Sequence, residues 1–525
     1  MVLFGKVLSK GYEFEAGAYA KERFIKVAAP YSVGPPAQFV SCMGKPPNRY
    51  RIKWRVKEIT DSVDSVLDIF EEGDSLLLFQ FNFSKICACF RELHGQIFFL
   101  PPDSKDCLSI GPLCTALLTE YPPLYKGTTA NNIAELVNRI FKRYSEGKRS
   151  IVMVIGSKNT GKSMLTRLLA NSFIGSNHPA VYILDCDVGQ PEMSPPGCIS
   201  LIKLSSPLLG VPIFHQRIVL LDTYFYGDIT INCDSDLYLD ILRKLLKRFQ
   251  DCSPSSSVLL INTCGWVEGK GVSLLDRMLK LFDPDFVFNF VTPAGPNYEV
   301  CQVTANGSKK PAVFCAAAVE KFMHLHSSPS MLRSLRLTSY MLHACPSPTI
   351  KSFADATPFA VSFRDIALLV NSNELFPDTH IFAVLNCTLV ALCVRDDVTD
   401  LMNRERLFNN KDMPVLLNPR DREPLLVVGY GFIRAIDLEQ YIFYIITPLE
   451  LSTCQKVNVL ARGLNIDLPQ CFFVSQRKAA VPYVVRERSS TFHSELFKKL
   501  KTKSSFHRKR FLKSQNQVVV QKVKK

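Results

Sequence analysis

Gly156-Ser157-Lys158-Asn159-Thr160-Gly161-Lys162-Ser163 is a G-x-x-x-x-G-K-[ST] stretch. An apolar run, Ile151 to Ile155, leads into it, and Met164 to Ala170 follows with helical spacing. Strand, glycine-rich loop and helix in that order is the setting in which such a stretch folds as a phosphate loop. The glycines let the backbone curl so that its N–H groups face phosphate oxygens, and the helix start adds a partial positive charge at the same place. The eight residues from Gly156 to Ser163 are therefore the nucleotide-binding candidates. Lys162 is expected to reach the β- and γ-phosphates, and the Ser163 hydroxyl to sit on Mg²⁺.

Working outward, the 525-residue length predicts roughly three to four domains. A hydrophobic content of 47% and a charged content of 21% describe an ordinary globular chain with ample core. No run of 18 or more apolar residues suggests a membrane span. The opening Met1 to Lys6 lacks the apolar core of a signal peptide. The 17 cysteines are scattered, with Cys87-Ala88-Cys89 the only tight pair, so reduced and mostly buried thiols inside a cell are expected. Net charge is +15, and the stretch Arg486 to Lys525 holds thirteen Lys/Arg against Glu487 and Glu495. A basic tail on a near-neutral body points to a polyanionic partner, to a nuclear address, or simply to a solvated tail.

The expected fold is α/β, with a P-loop NTPase-type central parallel sheet flanked by β-rich N- and C-terminal domains. Residues 1–148 form the first domain, with strands such as Ser75 to Phe81 and Gln96 to Leu100 between turn residues. Asn131 to Tyr144 has helical periodicity and delivers the chain to the phosphate loop. Residues 149–345 alternate short apolar strands with helical patterns, which argues for a mainly parallel sheet. The strand Ala180 to Leu184 ends in Asp185-Cys186-Asp187-Val188-Gly189-Gln190. Ligands of open α/β sheets bind beyond the carboxyl ends of the strands, so both acids land near the phosphates. In an extended D-x-D the two side chains share a side. One can hold Mg²⁺ and the other can take a proton from an attacking hydroxyl, unless both merely cap a turn.

A helix over Asp236 to Phe249 comes next, then a strand from Ser257 that runs out at Thr263-Cys264-Gly265-Trp266. That strand lacks the terminal Asp-Glu pair of motor ATPases. Trp266, one of two tryptophans, either stacks a nucleobase or fills core. Gly265, Gly269 and Gly271 make its loop flexible enough to close on a strand of nucleic acid. Phe286 to Val291 is a further buried strand. Arg333 and Arg336, three apart, share a helical face and suit a lid that neutralises transferring phosphate, or a solvated face. Residues 346–477 are again strand-rich, with Phe359 to Phe363, Phe382 to Asn386 and Tyr441 to Ile446 as examples. Residues 478–525 form the basic tail.

These stretches together resemble the polynucleotide 5′-hydroxyl kinases. The resemblance rests on Gly156 to Ser163, Asp185 to Gly197, Phe225-Tyr226-Gly227-Asp228-Ile229-Thr230, Asn262 to Gly269, Gly429 to Arg434 and Ile445 to Leu449. It is closest to the nucleolar branch that serves pre-ribosomal RNA processing, rather than the branch of messenger RNA 3′-end formation and tRNA splicing. It implies that ATP and Mg²⁺ are served by Lys162 and Ser163, and that Asp185 and Asp187 are the acidic pair. It gives Gln190 a place at the metal or substrate end. Thr263, Gly265 and Trp266 would form a clasp on RNA, and Arg333 and Arg336 a lid. It also implies a nuclear, nucleolar location and an endoribonuclease partner.

The expected chemistry is transfer of the ATP γ-phosphoryl to the 5′-hydroxyl of RNA, or of DNA, with Asp187 as the base and Asp185 toward the metal. The reverse assignment of the two acids is open. The rival readings are a P-loop ATPase switch and a scaffold that holds nucleotide without turnover.

Overall fold

Val152 and Val154 turn to one face of their strand, Met153 and Ile155 to the other, and all four are fully buried. A strand covered on both faces reads as one unbroken apolar run, which is why the lead-in to the phosphate loop shows no alternation. The structure is a computed structural model. It describes residues 127–469 apart from short gaps and, ahead of them, short stretches between residues 2 and 117.

The chain enters this region through helix α1 (Gly127–Ser145) and continues as β1 (Ser150–Ile155), α2 (Lys162–Ser172), β2 (Val181–Asp185), β3 (Cys198–Lys203), β4 (Leu220–Phe225) and α3 (Ser235–Cys252). Next come β5 (Val258–Asn262), α4 (Lys270–Phe282), β6 (Phe286–Val291), β7 (Ala312–Ala317) and α5 (Pro329–Met341). Strands β7-β6-β1-β5-β2 lie side by side and parallel. Ile133, Leu136 and Ile140 of α1 and Leu165 and Leu169 of α2 cover one face. Tyr238, Leu242 and Phe249 of α3 with Met278 of α4 cover the other. Within α1, α2 and α3 these residues are spaced by three, four or seven, the spacing that makes one apolar helix face.

The expected mainly parallel sheet is therefore present, but it does not stop there. β3 and β4 add on antiparallel, because the loop from Cys186 to Gly197 turns the chain straight back instead of crossing over through a helix. β4 then pairs antiparallel with β12 (Leu425–Asp437) of the C-terminal segment. The path continues through β10 (Leu389–Val394), β14 (Val459–Arg462), β9 (Ala367–Val370) and β11 (Val415–Leu417). Beside it, β12 also pairs β13 (Ile442–Ile446), which pairs β8 (Phe359–Ser362). One 14-stranded sheet thus joins the two segments.

The strand expected at Phe382 to Asn386 is instead a short helix, Ile381–Leu385. Ile381 and Leu385 are one turn apart and both fully buried, so packing of one face overrides the β-propensity of the run. Ahead of α1, Lys6–Ser9 and Tyr12–Glu15 form a hairpin, and Leu76–Leu77, the described part of the 75–81 run, is strand. The strand expected at residues 96–100 and the basic tail lie outside the described residues. Among the described residues no helix is long and apolar enough to cross a membrane.

Candidate active site

Gly156, Asn159 and Gly161 all have left-handed backbone, with φ of 152°, 62° and 101°. A Cβ on Gly156 would stand 2.8 Å from both Phe290 Cβ and Thr160 Oγ1, so only glycine fits the first turn of the loop. Helix α2 then starts at Lys162 with no side-chain cap, leaving its N–H groups to whatever the loop encloses. Thr160 Oγ1 and Lys162 Nζ both donate to the Ser157 carbonyl, at 2.9 and 2.7 Å. Lys162 is folded back over its own loop and nearly buried. Burial pulls its ammonium below the usual lysine range, and the charge of Asp187 opposes that pull.

β2 sets Asp185 opposite Asn262 of β5, and Asn262 in turn lies opposite Val154 of the strand that feeds the phosphate loop. Asn262 Nδ2 donates to Asp185 Oδ1 at 3.1 Å and reaches Ser163 Oγ at 3.4 Å. Asp185 Oδ2 accepts from the Glu192 N–H. Burial pushes the fully buried Asp185 carboxyl up to about 7; the Glu192 N–H bond opposes that and the Asp187 charge adds to it. The extended geometry ends at Asp185. Asp187 follows it outside the strand, and its Oδ1 accepts from Gly189 N and Gln190 N at 3.0 and 2.9 Å. The D-x-D is thus one buried strand-end acid and one turn-capping acid, the turn role falling to Asp187.

Arg333 and Arg336 both lie on α5, whose N-cap Ser328 accepts from Met331 N. Neither is on a solvated face. Arg333 is half-buried and Arg336 is 5% exposed. Burial lowers both guanidinium groups, against the pull of Asp467 and Asp187 on Arg333 and of Glu192, Asp187 and Asp185 on Arg336. Gln190 ties this helix to the acid loop: its Oε1 accepts from Arg336 Nη1 at 2.7 Å, and its Nε2 donates to Pro329 O at 2.9 Å.

The stretch after β5 is built for close packing. Thr263 is fully buried and donates to Val154 O at 2.7 Å. A Cβ on Gly265 would meet the Lys158 backbone at 2.7 Å, and one on Gly271 would meet the Trp266 carbonyl oxygen at 2.5 Å. Two of the glycines expected to give flexibility instead permit contact, Gly265 with the phosphate loop and Gly271 with Trp266. Only Gly269, with φ of 53° and open space around it, marks a turn. Trp266 is half-buried, resting one side on the core beneath α3 and α4.

With this geometry in place, the chain is 30% identical over 507 residues to the polynucleotide 5′-hydroxyl-kinase nol-9 of Caenorhabditis briggsae, covering 93% of this chain and 90% of that one. The chain belongs to the NOL9 family of polynucleotide 5′-hydroxyl kinases. It is 29% identical over 387 residues to human NOL9, covering 64% of this chain and 52% of that one. The family model described as the mRNA cleavage and polyadenylation factor CLP1 P-loop matches residues 156–342. Among solved structures, a Clp1p chain in its complex with Pcf11p aligns at a TM-score of 0.46 and 18% identity, over 63% of this chain and 79% of that one.

This NOL9-family kinase carries site residues that motif reading passed over. Asn262 links the acid to the phosphate-loop serine, and the signal for it was the strand register, which no local pattern displays. Glu192 is 5% exposed and accepts from His215 Nδ1 at 2.8 Å, with Arg167 of α2 at 3.6 Å. Burial alone would raise its carboxyl, but Arg167 and His215 bring it down to about 2. Burial holds His215 low, against the pull of the Glu192 carboxylate. A small cavity between Ser163, Thr166, Arg167, Ile183, Glu192 and Asn262 lies under these groups.

Proposed function

We propose that this kinase transfers the γ-phosphoryl of ATP to the 5′-hydroxyl of RNA, with DNA as a second acceptor. The observation that carries the reading is convergence at one end of the sheet: Asn262 joins Asp185 to Ser163 of the phosphate loop, and Gln190, whose N–H is bonded to Asp187, accepts from Arg336. Phosphoryl transfer asks for placement and charge neutralisation more than for covalent chemistry by the protein. Lys162 would leave the Ser157 carbonyl for a phosphate oxygen, and the arginines of α5 would share the developing charge. Asp187, at the rim, would accept the proton of the 5′-hydroxyl.

The residues present fit a magnesium ion. Asp185 is a buried carboxylate with no ion pair shown, Asn262 Oδ1 is buried without a hydrogen-bond partner, and Ser163 adds a hydroxyl. Hard oxygens in that arrangement suit Mg²⁺ with part of its water shell kept. Ser163 and Asp185 would hold it, and when bound it supplies charge neutralisation at the phosphates.

Trp266, with Thr263 and Gly265 fixing its loop, would rest a base of the incoming strand on its open side. The biological setting we propose is ribosomal RNA spacer maturation in the nucleolus beside an endoribonuclease, a setting in which the basic tail would meet polyanionic RNA.

Purified protein given γ-labelled ATP should label a 5′-hydroxyl oligoribonucleotide and leave its 5′-phosphorylated twin unlabelled. Equal labelling of the two, or ATP hydrolysis indifferent to any acceptor, would overturn the reading.

A further inference from the structure

Arg336 is almost wholly buried, yet the structure shows it no carboxylate bond. Its Nη1 donates to the neutral Gln190 Oε1, and its Nε has no hydrogen-bond partner. A buried guanidinium needs negative charge nearby, or its desolvation goes uncompensated. Gln190, which holds its Nη1, stands two residues before Glu192, and Glu192 is itself 5% exposed, so this loop sets a buried acid beside the buried cation's own partner; Glu192, Asp187 and Asp185 all oppose the effect of burial on the guanidinium.

Glu192 is set between Pro191 and Met193-Ser194-Pro195, a stretch with little freedom of its own. It is held from two elements: His215 donates to its carboxylate, and Arg167 of the phosphate-loop helix pairs with the same oxygen. Its main-chain N–H is meanwhile bonded to Asp185 Oδ2. We infer that Glu192 is a positioning residue for phosphoryl transfer: its N–H fixes Asp185, and its carboxylate balances Arg336 from a distance, so the guanidinium stays on the neutral Gln190 instead of in an ion pair that an incoming phosphate would have to break. An acid paired directly with Arg336 would have to be displaced by the phosphate. An acid one layer back holds the charge without occupying the donors.

The inference rests on the reading of Arg336 as a phosphate-facing group, and a double-mutant cycle separates the two. Glu192→Gln keeps the N–H and the size and removes the charge. It should lower kcat about tenfold or more while leaving the KM for ATP within about twofold, the pattern of a lost orienting group. In the Arg336→Ala background the same change should cost no more than about twofold further, because the group it positions is gone. A structural role would instead multiply the two losses. Thermal unfolding and binding of a non-hydrolysable ATP analogue confirm a folded site in each variant. Should Glu192→Gln not fold, Glu192→Asp, which keeps the charge but draws it back by one methylene, carries the same cycle. Multiplying losses, or a folded Glu192→Gln with wild-type kcat, overturn the inference alone. A silent Arg336→Ala overturns the lid role and this inference with it.

Discussion

Between Gly156 and Ser163 the loop is tied to itself: Thr160 and Lys162 both bond Ser157, and three left-handed residues set its path. Between Asp185 and Gly197 the loop has bonds of its own, from Glu192 N to Asp185 and from Gly189 and Gln190 N to Asp187, but it is also held by residues far off in the chain. Asn262 fixes Asp185, Arg336 and Pro329 fix Gln190, and Tyr430 donates to the Pro196 carbonyl at 3.0 Å from 234 residues away. The phosphate cradle is a local device, and the acid loop is an assembled one. Damage to the cradle should therefore stay in the cradle, whereas the acid loop should register changes made far off in the sequence.

The largest expected effect is on the local side. Lys162→Ala should cut kcat by ~10²–10³-fold, the cost of losing one charge-stabilising donor, with little change in thermal stability. A large stability loss would show the cradle to be less self-contained than its bonds suggest.

Asp185→Asn probes the assembled side through pH. The folded carboxyl is raised to about 7 from an ordinary value of 3.8, so its contribution favours the fold at low pH and is lost progressively as pH rises from about 4 through about 7. The Asn variant should be inactive yet melt several degrees higher than wild type at pH 8 without magnesium, the gap narrowing toward pH 5. Glu192, lowered to about 2, has the opposite sign, and its contribution is lost only as pH falls below about 4.5 toward 2. A gap that widens on acidification would refute the assignment of the buried acid.

Trp266→Ala, one residue past the Gly265 that packs on the phosphate loop, should weaken binding of single-stranded RNA by about 1–3 kcal/mol with ATP affinity kept, as loss of a stacking platform does. If the fold is lost instead, the residue is core.

The smallest effect tests the reach of the assembly. Gly429 of β12 admits the Tyr340 hydroxyl of α5, since a Cβ there would stand 2.5 Å from it, and that hydroxyl accepts from Tyr430 N at 2.9 Å. Tyr430→Phe removes the bond to Pro196 from a buried site and should cost about 1 kcal/mol of stability. Activity should fall by a few-fold while the KM for ATP stays put. An equal loss of nucleotide affinity would erase the distinction between the two loops.

What could be read without coordinates follows the same division. The strand Phe286–Val291, the helix around Asp236–Phe249 and the phosphate loop carry their own signals, because apolar period and glycine spacing are local. The helix at Ile381–Leu385 was misread because five residues are too few to show a period, and packing of Ile381 and Leu385 decided. Glycines 265 and 271 looked like hinges and proved to be contact points, which only their neighbours in space reveal.

The order of residues alone determined that this chain builds a parallel core around a nucleotide cradle, since both depend on contacts within a few turns of chain. Tertiary structure alone decided that the C-terminal strands complete the same sheet. It also decided that Asn262 holds Asp185, and that Arg336 is buried against Gln190. Those partners are set by register and by side-chain packing across long separations, and neither leaves a periodic trace in the sequence.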